Sequence, residues 1–318
     1  MVLWLSGCAA GAYTPGLRRP PLAEPGVRHG EGRLRMPDGV ELFHQAWRPV
    51  RGPVRGTVLI VHGLKDHSSR YHRFACQLAR RGYLVRAFDL RGHGDSSGDR
   101  VWVDCFDVYL EDLERYLAAH PEGLPRPLFL LGHSMGGAIV TLWAIRRQPE
   151  LAGLILSAPA LVPGENVSGF LIAIAKVLSA LCPTLAVMEL RDEDFSRDPS
   201  TVQAIKTDPL IEHGKGPART GAEVLRALGQ ISAAMERVRV PLLILHGTED
   251  RLTNPAGSRQ LHERAASEDK TLVLLEGLYH DLLHEPEHAE IEARIIAWIE
   301  ARTPSPDPSR VAAQPAAR

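Results

Sequence analysis

Apolar residues in this chain fall into two alternating patterns, and the alternation predicts the fold. Short unbroken apolar runs occur at Val58–His62, Leu84–Asp89, Leu128–Leu131, Leu154–Ser157, Leu242–His246 and Thr271–Leu275. Runs of this length without a polar face suit strands buried on both sides. Between them, apolar positions recur at helical spacing over Arg70–Arg81, Asp104–His120, Met135–Gln148 and Glu287–Ala301. In the last of these, Ile291, Ile295, Ile296 and Ile299 form one stripe. Such alternation predicts a mostly parallel α/β sheet with helices on both faces. A looser alternation over Arg33–Arg48, around the turn signal Pro37-Asp38-Gly39, predicts two short strands ahead of it.

The scheme breaks between Ala160 and Pro241. That stretch holds an apolar segment, Val167–Leu181, then a charged run, Arg191–Asp198, then further helical patterns. An insertion of about 80 residues is too long for a plain loop and predicts a helical cap, over about 160–240, above one edge of the sheet. Residues 1–31 and 302–318 are rich in Pro, Gly and Arg without a sustained period, and read as flexible tails around a domain spanning 32–301. Near the start, Leu5-Ser6-Gly7-Cys8 resembles a lipoprotein cleavage site, which makes Cys8 a candidate lipid anchor. The four apolar residues before it, Val2 to Leu5, fall short of a secretory signal's apolar core and carry no positive flank.

Candidate chemistry centres on Gly132-His133-Ser134-Met135-Gly136-Gly137, a G-x-S-x-G motif between a predicted strand and a predicted helix. That context predicts a tight turn with Ser134 Oγ projecting from the sheet and a helix N-terminus behind it. A serine needs an adjacent base, itself oriented by a carboxylate. Downstream, Gly247-Thr248-Glu249-Asp250 and Glu276-Gly277-Leu278-Tyr279-His280 close strands at the same predicted sheet edge. Asp250 and His280 are the candidate partners, with Glu249, Asp281 and His284 as rivals. The residue after Gly63, Leu64, and the residue after the serine, Met135, are the candidate backbone oxyanion donors. The segment Asp89–Ser96 reads as a loop bracing the site, because its acids precede the serine.

Composition mainly excludes. Of 318 residues, 44% are hydrophobic and 24% charged, and Lys+Arg 37 against Asp+Glu 38 leaves no basic excess for nucleic acid. Cys8, Cys76, Cys105 and Cys182 form no CxxC pair and read as reduced thiols. His280 and His284 lack an HExxH context, and no GxGxxG follows the first strand, so neither a metal nor a cofactor is expected.

The segment His62-Gly63-Leu64-Lys65-Asp66-His67-Ser68-Ser69-Arg70-Tyr71 resembles the HG-x-x-[ED]-H-S-x-R-Y segment of the monoacylglycerol lipases, which have the α/β-hydrolase fold. The likeness runs from about Arg33 to Ala301 and takes in Phe88–Ser96, Asp208-Pro209-Leu210, Gly247–Leu252 and Gly277–His280. It implies hydrolysis of monoacylglycerols by a Ser134–Asp250–His280 triad, with no cofactor. It also implies a cap whose apolar helix meets lipid, and a polar, glycerol end of the pocket lined by Asp66 and Arg70. Where eukaryotic members carry cysteines in the later cap, this chain reads Gly214-Lys215-Gly216-Pro217-Ala218, so thiol sensitivity is not implied.

Phe170, Ile174 and Leu178 stand in the apolar cap segment as acyl-chain contacts. That segment is either a helix buried in the cap or a lid whose outer face meets acyl chains or a membrane surface. A cytoplasmic or peripheral membrane location follows. Lysophospholipids or small esters are alternative substrates for the same triad, and a silent hydrolase-fold binding module is an alternative of another class.

Overall fold

A computed structural model describes residues 24–120, 123–164 and 169–304; Cys8 and most of both expected tails lie outside the described residues. Eight strands form one sheet: β1 (Val27–Arg35), β2 (Glu41–Pro49), β3 (Gly56–Val61), β4 (Tyr83–Phe88), β5 (Leu128–His133), β6 (Gly153–Ser157), β9 (Leu242–Gly247) and β10 (Lys270–Leu275). Their spatial order is β1-β2-β4-β3-β5-β6-β9-β10. From β4 to β10 all pairs are parallel, whereas β1 and β2 are antiparallel additions at one edge. Every residue of β3, β5, β6 and β9 is buried, as unbroken apolar runs require.

Helices α1 (His72–Arg80), α2 (Asp107–Ala118), α3 (Met135–Arg147), α7 (Pro255–Arg264) and α8 (His288–Glu300) flank the sheet. Two apolar clusters lie on its opposite faces: one joins α2 and α3 to Leu59, Leu130 and Leu156, and the other joins α1 and α8 to Ile60, Leu131 and Leu245. Side chains alternate faces along a strand, so each central strand feeds both clusters.

The insertion between β6 and β9 contains α4 (Gly169–Leu181), β7 (Ala186–Met188), α5 (Pro199–Thr207), β8 (Gly216–Pro217) and α6 (Ala218–Ser232). Its base belongs to the core: Ala227, Leu228 and Ile231 of α6 join the cluster under α3. Its top is otherwise. In α4 only Ser179 is buried, because this helix is apolar nearly all round and has one side to pack.

Three expectations are corrected. Val27–Glu31, expected in the N-terminal tail, pairs along its length with β2, since an exposed edge strand can be built from Arg and Gly. Thr271–Leu275, expected to be buried on both faces, lies in β10 at the opposite edge and is mostly half-buried. Thr303, assigned to the C-terminal tail, is buried and accepts a hydrogen bond from the Tyr83 hydroxyl at 2.8 Å.

Candidate active site

Ser134 sits between β5 and α3 with φ 53° and ψ −120°, a conformation that side chains rarely adopt. Glycines permit the turn. A Cβ on Gly136 would lie 2.1 Å from the Val61 carbonyl oxygen, and one on Gly132 would lie 2.6 Å from the Gly136 carbonyl oxygen. The Ser134 N–H donates to the Ser157 carbonyl at 3.1 Å, tying the elbow to the next strand. Met135 opens α3, so its N–H has no acceptor within the helix. Leu64 follows β3 on a loop packed against the serine, where a Cβ on Gly63 would fall 2.9 Å from Ser134 Cβ.

His62 braces that loop. Its Nε2 accepts from the Leu90 N–H at 2.8 Å, so Nδ1 carries the proton and donates to the Gly63 carbonyl at 2.7 Å. Burial pushes its pKa down and keeps the ring neutral. Asp89 accepts from the Ser68 and Asp95 N–H groups, 2.7 Å each, which makes its loop a brace for the same segment.

The β9 and β10 loops bring Asp250 and His280 together: Nδ1 of His280 donates to Asp250 Oδ2 at 2.8 Å, leaving Nε2 available to the serine side. Both side chains are buried. Asp250 Oδ1 accepts from the N–H groups of Leu252 and Thr253, 2.8 and 3.0 Å away. Burial opposes the Asp250 charge, but His280 and His246 outweigh it and hold the carboxyl well below the usual carboxylate range. Burial likewise opposes a charge on His280, yet Asp250 raises its pKa above the ordinary histidine value. Phe195 of the cap meets the His280 ring edge-on, with centroids 5.7 Å apart.

Ser134, Leu64, Met135 and His280 share the wall of one apolar cavity of about 470 Å³. The cap supplies the remainder, including Leu171, Ile174 and Leu178 from α4, Val187 and Met188 from β7, and Gly221, Val224 and Leu228 from α6. Phe170, expected among these contacts, is instead 74% exposed on the outer face of α4.

Asp66 and Arg70, expected at a polar pocket end, are outside the cavity wall. They form a buried ion pair, and Arg70 also pairs with Asp281, so their charges are spent inward. Of the rivals, Glu249 is exposed, while Asp281 and His284 bond one another at 2.8 Å. Pairing with β10 and helix α7 adds residues that sequence reasoning missed. His246 Nε2 lies 3.1 Å from Asp250 Oδ2, and the Thr253 hydroxyl lies 2.8 Å from the same oxygen. A histidine four residues before the acid, at a buried strand end, was the available signal.

Among the described residues one group has metal-like proximity: Glu24, His72 and Cys76. It does not fit a metal. Trp47 Nε1–H donates to His72 Nδ1 at 3.0 Å, so the proton of the neutral ring sits on Nε2, the nitrogen facing the other two groups. Burial also pushes the Cys76 thiol up to about 11, away from the thiolate a metal needs. No described helix is long and apolar enough to cross a membrane.

Strand order, elbow and cap define an α/β-hydrolase fold. The family model Hydrolase_4, serine aminopeptidase S33, matches residues 52–287. A monoacylglycerol lipase of Mycolicibacterium smegmatis is 40% identical over 263 residues, 82% of this chain and 93% of that protein. Human monoglyceride lipase is 36% identical over 270 residues, 84% and 89% of the two chains. The crystal structure of Paleococcus ferrophilus monoacylglycerol lipase superposes with a TM-score of 0.75 at 31% identity, covering 82% of this chain and 99% of that one. This chain belongs to the serine aminopeptidase S33 family of α/β-hydrolases, and it is an ester hydrolase.

Proposed function

We propose that this enzyme hydrolyses the ester bond of monoacylglycerols, releasing glycerol and a free fatty acid. Ser134 Oγ attacks the ester carbonyl while His280 Nε2 takes its proton, and the Leu64 and Met135 N–H groups receive the developing oxyanion. His280 then returns the proton to the departing glycerol oxygen, leaving an acyl-enzyme. Water, deprotonated by His280, attacks that ester; the fatty acid leaves, and Ser134 regains its proton. Asp250 fixes the His280 tautomer and stabilises the imidazolium formed at each step.

The observation that carries the reading is the cavity itself. Its apolar wall begins at Ser134 and His280 and runs beneath the cap, which suits one acyl chain and gives no second chain a place. The similarity to enzymes named as monoacylglycerol lipases supports the same substrate. Outside the cavity, Phe170, Val177, Leu181 and Leu185 form an exposed apolar face on the cap. A patch of this kind supports peripheral contact with a lipid surface, from which the acyl chain is drawn.

Initial rates on mono-, di- and triolein and on lysophosphatidylcholine test the reading. Monoolein should be cleaved fastest and triolein hardly at all. Faster cleavage of triolein or of the lysophospholipid would overturn it.

A further inference from the structure

Arg70 belongs to a segment that the family resemblance directs at substrate, yet its guanidinium faces inward. We propose that Arg70 is a positioning residue that holds the oxyanion loop and the His280 loop in register, each through one carboxylate. The proposal rests on the roles given above to Ser134, His280 and Leu64.

One arm of the guanidinium reaches the oxyanion loop. Arg70 Nη1 donates to Asp66 Oδ1 at 3.1 Å. The same carboxylate accepts from the Gly63 N–H at 3.3 Å, the His67 N–H at 2.8 Å and the Tyr71 hydroxyl at 2.8 Å. It therefore closes the turn that carries Leu64 and folds it onto Ser134. The other arm reaches the base. Arg70 Nη2 donates to Asp281 Oδ2, on the residue that follows His280. Asp281 is fixed in turn by His284 at 2.8 Å, and its own N–H donates to the cap carbonyl of Phe195 at 2.7 Å. His284 Nε2 then returns to the Arg70 carbonyl at 3.0 Å, closing a ring of contacts.

The side chains of Asp66, Arg70 and Asp281 are 2%, 10% and 4% exposed. The guanidinium is largely enclosed, and each of its two arms is committed to a buried carboxylate. Two buried acids on one cation are a costly way to fill space, since well-packed apolar residues would stabilise at least as well. What apolar residues could not do is fix two loops far apart in the chain by a rigid planar fork, one arm of which reaches a carboxylate 211 residues beyond Arg70.

The test compares wild type with Arg70→Met, Arg70→Lys and Asp281→Asn on monoolein and on p-nitrophenyl butyrate, with near-ultraviolet circular dichroism to establish folding. A misplaced oxyanion donor costs roughly 10²–10³-fold in kcat. Arg70→Met should lose kcat on that scale with KM nearly unchanged, and by the same factor on both substrates, because the butyrate ester has no glycerol. Arg70→Lys should recover part of the loss, as an ammonium can reach one carboxylate but not both. Asp281→Asn should lower kcat on both substrates alike.

A loss confined to monoolein, or expressed through KM, would overturn the proposal in favour of a glycerol contact. Unchanged kcat in folded Arg70→Lys and Asp281→Asn would overturn it in favour of a packing role, and these two variants decide the matter if Arg70→Met fails to fold. Failure of the underlying site assignment reads out separately, as wild-type protein in which a fluorophosphonate does not label Ser134.

Discussion

Acyl-chain length should control the rate up to a limit set by the cavity. Each methylene transferred from water to an apolar wall is worth about 0.8 kcal/mol, or about 4-fold in kcat/KM. The cavity holds about 470 Å³. If a methylene occupies as much space as one liquid water, ~30 Å³, the cavity accommodates a chain of about 16 carbons. Rates should climb along an ester series from C4, then level off near that length. Gly221→Leu is the matching perturbation of the protein. Gly221 lines the cavity from α6, and a Cβ there meets nothing closer than Met188 Sδ at 3.9 Å. The larger side chain therefore enters free space, and replacing a glycine in the first turn of α6 should not destabilise the helix. Its four carbons remove ~120 Å³ on the same scale, moving the break from about 16 to about 12 carbons. The assay is kcat/KM on short p-nitrophenyl esters for the slope and on monoacylglycerols in mixed micelles for the break. A flat series, or a break unmoved by Gly221→Leu in a folded variant, would refute the placement of the chain in this cavity.

Three further outcomes follow from the site and the cap. The base works only when neutral, and Asp250 raises the pKa of His280; activity should rise with pH through a midpoint above the ordinary value of about 6.5, and a kcat/KM profile with a lower midpoint contradicts the pairing. Gly136→Ala places a methyl 2.1 Å from the Val61 carbonyl oxygen, where backbone must move; a loss of at least about 1–3 kcal/mol should lower Tm, and an unchanged melting curve would deny the close approach. Phe170→Ser with Leu181→Ser removes the two most exposed apolar side chains of the cap; sedimentation with phosphatidylcholine vesicles should fall while p-nitrophenyl butyrate turnover holds, and equal sedimentation would exclude this face as the membrane contact.

Much of this was legible from residue order, for a physical reason. Strands buried on both faces have no freedom to be polar, so Val58–His62 and Leu242–His246 announce themselves, and each fixes the loop that follows it. Ser134 and Asp250 sit on such loops, while His280 follows the half-buried edge strand β10. Edge elements escape this logic: β1 needs no apolar face, and α7 buries few apolar side chains, Leu261 being the largest of them. In α7, the pair Asn254-Pro255 is the surviving signal, a side-chain cap followed by proline at the first turn. Charge direction was not legible either. Whether Asp66 and Arg70 face substrate or each other depends on Asp281, brought beside them only by the completed fold. The same holds for His246, which turns toward Asp250 because α7 and the β9 loop enclose it.

The central claim is that Ser134 carries the acyl group of a monoacylglycerol. Incubation of wild type and Ser134→Ala with monoolein, with glycerol and oleate both quantified, addresses it directly. Wild type should release the two products in equal amounts and be inactivated by a fluorophosphonate bound at Ser134, while the folded variant should do neither. Release of glycerol and oleate by Ser134→Ala at a rate near that of wild type would contradict the account.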